Sequence, residues 1–316
     1  MKLKYKQLNL FGEEEREEIV EEILKREDSV LAINVSGGKD SQAMLSYLCK
    51  RAARESWECQ IFIIHADLGR IEWPQTQEFV EKLAHVSKIP LVVVRRGKGD
   101  MIDRWQERYQ TLSDQGNTKP FWSSANARYC TSDLKIQPIN KYLRQFKLVV
   151  SAMGIRADES RNRANKPILS VRKNITTSKL TELSPSSAWE QWKANPSGRL
   201  AFDWLPIHDW DIEQVWNQCG TSSKDWQKRR TLDDSEAVSG WPCHPAYVLG
   251  HGNERLSCAF CVLASVNDLT NAIAYNPETY NHLVQLEEQS GWSFQHHRSL
   301  QSLSPSQPSP VTDYAD

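Results

Sequence analysis

The apolar positions of this chain follow two rhythms. Short unbroken runs, LAINV (31–35), IFIIHAD (61–67), LVVV (91–94) and LVVSAM (148–153), are bounded by polar or turn-forming residues and predict buried strands. Between them, apolar residues recur every three to four positions. Ile19, Val20, Ile23 and Leu24 predict an acidic amphipathic helix over 13–26, and Ala43, Met44, Tyr47 and Leu48 predict a helix over 40–54. A helix over 75–86 follows Pro74, and one over 132–145 must place Pro138 in a first turn or at a kink. A short helix is predicted over 211–218. Strands that alternate with helices and are apolar throughout indicate an α/β fold, a Rossmann-like parallel sheet with helices on both faces. After residue 153 the rhythm fades. Residues 170–200 hold Ser, Thr, Asn and Pro and read as loop, and the final Ser/Pro-rich stretch reads as disordered. The expected division is an acidic N-terminal helix over 1–28, an α/β domain over 29–169, a loop-rich region over 170–298 packed on it, and a tail over 299–316.

Composition narrows this picture. With 316 residues, 39% of them hydrophobic, the chain has ample material for a core. The net charge of −1 argues neither for nor against a polyanionic partner, but the charge is uneven. Residues 12–28 carry nine acids and three bases, whereas 156–199 carry nine bases and four acids, a local stretch able to meet an anion. No run approaches the roughly 18 apolar residues that span a membrane, and none near the N-terminus has signal-peptide length. A cytoplasmic protein without a membrane partner is therefore expected. In a reducing compartment its seven cysteines point to metal binding or redox chemistry rather than disulfides.

The densest chemistry lies in NVSGGKDSQAM (34–44), where the first strand hands over to the first helix. Ligands of open α/β sheets bind at that edge. Gly37 and Gly38 let the backbone bend and turn its N–H groups toward an anion, and the helix N-terminus adds positive partial charge. Ser36 and Ser41 offer hydroxyl hydrogen bonds, Lys39 a mobile cation, and Asp40 an N-cap or a ligand for Mg²⁺. This is a phosphate cradle that departs from the Walker pattern.

SGGKDS after a strand resembles the PP-loop of ATP pyrophosphatases, which split ATP between its α and β phosphates. HADLGRIEWPQT (65–76) resembles the D-T-G-x-x-x-P-E-T stretch of the phosphoadenosine phosphosulfate reductase family, with Asp67, Gly69, Pro74 and Thr76 matching while Leu68 and Gln75 depart. GIRADESRNRA (154–164) resembles that family's G-x-R-x-x-x-S-x-x-R through Gly154, Arg156, Ser160 and Arg163, and LPIHDWDIEQVW (205–216) resembles its P-x-x-D-W-x-x-x-x-V-W. The resemblance spans about residues 30–262. It implies an adenine nucleotide alpha hydrolase-like fold, with ATP held by residues 36–41, Asp67, Gly154, Arg156 and Arg163. Lys39 and Asp40 would carry the catalysis.

One CxxC occurs, at Cys258 and Cys261; Cys243 lies upstream with 14 residues between, and Cys130 is the fourth candidate. Four such thiols can hold zinc or a 4Fe–4S cluster, and spacing alone does not separate the two. His244 and His251 are substitute ligands by residue type, although hydrogen-bonded or exposed histidines are the simpler expectation. The resemblance favours the cluster. Reductases of the family carry a nucleophilic cysteine in an E-C-G-L-H tail, and this sequence has none after Cys261. CTSDLKIQPINKYL (130–143) and CHPAYVLGHGNERLSCAFC (243–261) resemble the DndC-like branch, the ATP pyrophosphatases of DNA phosphorothioation. That implies a sulfurtransferase that adenylates a backbone oxygen of DNA and replaces it with sulfur. A cysteine desulfurase would be the donor, with other phosphorothioation subunits as partners. Arg161, Lys166, Arg172 and Lys173 would face the nucleic acid. The alternatives are a sulfonucleotide reductase, a tRNA-thiolating ATP pyrophosphatase, and a non-enzymatic iron–sulfur module.

Overall fold

Six strands form one sheet: β1 (Ser29–Asn34), β2 (Gln60–Asp67), β3 (Leu91–Arg95), β4 (Leu148–Met153), β5 (Leu169–Val171) and β6 (Leu200–Trp204), in the order β3-β2-β1-β4-β6-β5. The computed structural model describes residues 15–303. The start of the acidic helix and most of the Ser/Pro tail therefore lie outside the described residues. Every pairing is parallel except that of β5 with β6. The central strands β1 and β4 are buried on both faces, which is why they read as unbroken apolar runs. β3 lies at one edge and leaves Val93 exposed.

Helices cover both faces. The helix over 15–24 (α1) and α2 (Lys39–Glu55) set Val20, Ile23, Leu24, Met44 and Leu48 against Leu31, Ile33 and Val35. The acids of α1 are fixed by partners: Arg51 binds Glu17 at 2.5 Å and Glu21 at 2.7 Å, and the Trp189 indole donates to Glu22 at 2.6 Å. α3 (Thr76–Ser87) follows, and then α4 (Met101–Asp114), capped reciprocally by Asp100 and Asp103. α5 starts at Tyr129–Thr131, widens into a π turn over Ser132–Ile136 and continues as Gln137–Leu143. The wide turn lets Pro138 enter a continuing helix without an N–H to give. Ile139 and Leu143 of α5 pack on the opposite face, against Val30, Ala32, Phe62 and Ile64.

The expectation of loop after residue 153 is corrected by the structure. β5 and β6 extend the sheet. Residues 170–200 contain α6 (Pro185–Ala194), which has a Ser184 N-cap, Pro185 in its first turn, and Ala188, Trp189 and Trp192 buried. Beyond α7 (Ile212–Gln218) come α8 (Ser223–Arg229), α9 (Asp234–Val238), α10 (Val266–Tyr275) and α11 (Pro277–Ser290). The last two join α4 in a second apolar cluster around Trp105, Trp122 and Phe294. The tail does not begin at 299 either: Leu300 is buried, its N–H donates to Glu287, and Gln301–Leu303 make a 3-10 turn. No helix among the described residues is long and apolar enough to cross a membrane.

Candidate functional site

β1 has β2 on one side and β4 on the other, while the chain runs from β1 outward to β2 and β3 before returning to β4. The strand order therefore reverses between β1 and β4, and the carboxyl ends of these two strands flank a crevice. Residues 36–41 leave β1 on one side of it, and Gly154 and Arg156 leave β4 on the other.

Within the loop, Gly37 takes a φ of 82°, which a side chain rarely adopts. Gly38 is the N-cap of α2 and offers no side chain; the Lys39 N–H is taken by the Tyr247 hydroxyl, which leaves the amides of Asp40 and Ser41 without a capping partner among the described residues. The expected N-cap role of Asp40 is thus corrected: it sits within the first turn. The Ser41 hydroxyl accepts from the Ser36 N–H at 3.2 Å and donates to the Gly38 carbonyl at 2.8 Å, so it braces the loop from inside. Ser36 is exposed above it.

Asp40 is the hub. Its Oδ1 accepts from Arg156 Nε at 2.6 Å, and its Oδ2 faces Lys39 Nζ at 3.1 Å. Arg156 is only 3% exposed and also binds Asp158 and the Trp210 carbonyl. Burial pushes the Asp40 carboxyl up, but Lys39 and Arg156 outweigh it and hold it below the usual carboxylate range. Both oxygens being engaged by cations, Asp40 has no free oxygen for Mg²⁺ as it stands. Gly154 is required for a close approach: a Cβ there would lie 2.9 Å from the Asp40 carbonyl group.

The Lys39 ammonium is turned inward. It is 5.6 Å from the ring centroids of both Trp216 and Tyr247, and the Tyr247 hydroxyl accepts from the Lys39 N–H at 3.1 Å. Leu256 and His244 close over Gly37. Sequence reasoning missed this roof. Trp216 and Tyr247 lie in stretches quoted above for their motifs, but nothing in their spacing connects them to Lys39.

His244 is fully buried. Its Nδ1 accepts from the Ala246 N–H at 3.2 Å, so the ring proton sits on Nε2, which donates to Thr76 Oγ1 at 3.2 Å. With both nitrogens occupied it is no spare metal ligand. Burial pushes it down to about 3 from 6.5. Below pH 6.5 the unfolded chain binds the proton that the folded ring refuses. This contribution to stability is therefore complete above about pH 6.5 and fades as pH falls toward 3, by about 1.4 kcal/mol per unit. A His244→Gln chain is expected to show a shallower acid limb in urea midpoints between pH 6 and 4. Equal slopes would assign the acid sensitivity to another group.

Asp67 does not point into the crevice as a free acceptor. It receives the Gly69 N–H at 2.7 Å and Arg95 Nε at 2.5 Å, and so closes its own turn. Buried His65, which sequence reasoning also missed, lies beside the loop: its Nδ1 is 2.8 Å from the Val35 carbonyl and its Nε2 3.6 Å from Glu72. Arg163 pairs with Glu159. Arg161 and Lys166 are exposed, and Lys173, also exposed, is paired with Glu182 at 2.8 Å. Arg172 is corrected outright. It is 9% exposed and bridges Asp203 at 2.5 Å, Asn140 at 2.9 Å and Ser151 at 3.3 Å, which makes it a buried tie between the sheet and α5 rather than a nucleic-acid contact.

The four cysteines do not come together. Cys130 and Cys258 pack in one cluster, and Cys258 feels the thiols of both Cys261 and Cys130. Burial pushes Cys258 up to about 12, with Lys135 pulling the other way. Cys243 packs elsewhere, beside Cys219, whose thiol donates to the Lys39 carbonyl at 3.4 Å. Contact with Cys219 and burial push Cys243 up. Among the described residues no group of three or more His, Cys, Asp or Glu converges on one point. The four thiols as arranged do not fit a single metal centre.

A family model described as the phosphoadenosine phosphosulfate reductase domain matches residues 30–223, more than half of the chain, and the chain belongs to that family. It is similar to the phosphoadenosine 5'-phosphosulfate reductases of Salmonella newport (strain SL254) and Salmonella heidelberg (strain SL476). It is 26% identical to each, over 158 and 157 residues, 49% of this chain and 55% of each relative. The chain thus spans about half the length of the curated relatives it matches. Among solved structures, the U34-tRNA thiolase NcsA from Methanococcus maripaludis with its 4Fe–4S cluster matches with a TM-score of 0.40 and 13% identity, over 92% of this chain and 77% of that one. Candida glabrata FMN adenylyltransferase, in complex with FMN and an ATP analogue, matches with a TM-score of 0.35 and 12% identity, over 65% and 50%.

Proposed function

We propose that this chain is an ATP pyrophosphatase of the sulfurtransferase kind, which adenylates an oxygen of a nucleic-acid acceptor so that sulfur can replace it. DNA phosphorothioation is the reaction class. The observation that carries this reading is the unbroken SGGKDS loop at the strand reversal, with the Asp40 and Ser41 amides uncapped and Asp40 clamped between Lys39 and Arg156. The acceptor oxygen attacks the α phosphorus of ATP, the bond to the α–β bridging oxygen breaks, and pyrophosphate leaves with that electron pair. A sulfur nucleophile then displaces AMP, which departs with the acceptor oxygen. The chain's own part is to hold the triphosphate. In this reading the Asp40 and Ser41 amides meet its negative charge and Lys39 swings out from between Trp216 and Tyr247 to join them, while Arg156 keeps Asp40 ionised and in place. Cysteine desulfurase and the other phosphorothioation subunits belong to this proposal as sulfur donor and partners; because a desulfurase hands over sulfur as a persulfide, a second thiol must then cleave the S–S bond, leaving as a disulfide with the carrier and freeing the sulfur on phosphorus.

The test is pyrophosphate release from ATP with and without DNA. DNA-stimulated release supports the reading; no release with DNA, tRNA or neither sinks it.

The family match favours a second reading, reduction of a sulfonucleotide by thiols. Thiol-dependent sulfite release from adenylylsulfate or its 3′-phosphate would select this reading. Cys258 lies near the thiols of both Cys130 and Cys261, but the three do not converge on one point as arranged, so any iron the chain carries would have to draw them together. Anaerobically purified Cys258→Ala is then expected to lose iron, and Cys243→Ala to keep it. Loss in both variants would restore the four-cysteine set, and stoichiometric zinc in a colourless preparation would replace the cluster.

A further inference from the structure

Five of the nine bases of 156–199 are spent on internal pairs, Arg156 on Asp40, Arg163 on Glu159, Arg172 on Asp203, Lys173 on Glu182 and Lys193 on Glu22, which leaves Arg161, Lys166, Lys179 and Arg199 without an ion pair among the described residues. A different surface gathers cations around one aromatic ring. Arg104 and Arg108, one turn apart on α4, place their guanidinium carbons 4.9 and 5.0 Å from the centroid of the same Tyr129 ring. Arg104 is balanced by Asp133 at 2.9 Å. Arg108 makes no ion pair among the described residues, and its buried Nε has no hydrogen-bond partner. Arg128, exposed and adjacent to Tyr129, and Lys135, in the π turn, are likewise unpaired among the described residues. Two like charges held over one ring repel each other, and an anion between them relieves that repulsion. The π turn packs against β2, and Lys135 acts on Cys258, which follows the turn after β2 through the Ala259–Ile71 hydrogen bond of 2.9 Å. The strip therefore lies at the carboxyl edge of the sheet, next to the strand that carries the phosphate loop.

We infer that the strip formed by Arg104, Arg108, Arg128, Tyr129 and Lys135 docks the backbone phosphates of the nucleic-acid acceptor, in place of the 156–199 stretch. This rests on the proposed nucleic-acid acceptor. Arginine forks suit phosphate oxygens, and the half-buried Tyr129 ring, its hydroxyl given to the Phe121 carbonyl, holds two of them side by side.

The experiment titrates the full chain with a fluorescently labelled 20-base-pair DNA duplex between 50 and 200 mM salt. Each neutralised phosphate contributes about −0.9 to the slope of log K against log salt. Arg108→Gln and Arg128→Gln are each expected to lower the magnitude of that slope by about 1, whereas Arg161→Gln and Lys166→Gln leave it unchanged. Pyrophosphate release from ATP without DNA should be equal in all four. Arg128 is exposed in a loop, so its variant still decides the matter if Arg108→Gln is poorly folded. If the wild type binds and the slope falls only in the Arg161 and Lys166 variants, the strip is wrong while the acceptor stands. If the wild type binds no duplex even at 50 mM salt, the acceptor itself is wrong and the strip falls with it.

Discussion

Replacing Lys39 with alanine is expected to reduce pyrophosphate release from ATP by about a hundredfold or more. Loss of one charged contact to a developing phosphate charge commonly costs about 2.7–4 kcal/mol of barrier. The fold should survive, because Asp40 keeps Arg156 at 2.6 Å and is not left as an unpaired buried charge. The cost to stability comes from emptying the space between Trp216 and Tyr247, where a desolvated cation over aromatic rings contributes about 2 kcal/mol. Lys39→Met refills that space, so its urea midpoint should lie nearer the wild type while its activity stays as low as that of alanine. Wild-type release of pyrophosphate by either variant would remove the loop from the chemistry.

Arg172→Ala should be among the most destabilising single changes in the chain. It strands Asp203, Asn140 and Ser151, the last two almost fully buried, and breaking a buried pair from one side costs about 3–5 kcal/mol. Its neighbour provides the control: Lys173 and Glu182 form an exposed pair, and Lys173→Ala should move stability by no more than about 1 kcal/mol. Urea unfolding of the two variants checks this. An Arg172→Ala chain that folds like the wild type yet binds DNA less well would return that residue to the nucleic-acid surface.

Adjacent residues with opposite fates also mark the limit of reading this sequence. Charge alone cannot separate Arg172 from Lys173. The difference is that Asp203 and Asn140, some thirty positions away on either side, meet only one of them. β1, β2 and β4 were legible because burial on both faces leaves unbroken apolar runs. β6 was passed over because LAFDW is interrupted by Asp203, the partner of Arg172. α6 carries cap and proline signals, but its apolar stripe is three residues long. At the site, the loop and Arg156 were readable because each lies within a contiguous motif. The lysine enclosure was not, because Trp216 and Tyr247 reach Lys39 only through the tertiary fold. The cysteines show the same limit: their spacing predicts chelation, but it cannot report that Cys243 turns toward Cys219.

The roof over the phosphate loop has a consequence for how the chain is made. The Tyr247 hydroxyl that meets the Lys39 amide is encoded 208 positions later, and Leu256 and His244 close over Gly37 from the same late segment. At synthesis rates of about 5–20 residues per second, roughly 10–40 s pass between emergence of the loop and arrival of its cover. During that interval β1 and β2 can already be paired while the loop amides and the lysine stand open to free nucleotides and polyphosphates around the ribosome. A ribosome-bound fragment ending before residue 244 would thus present the anion-binding half of the site without the aromatic enclosure that later restrains Lys39.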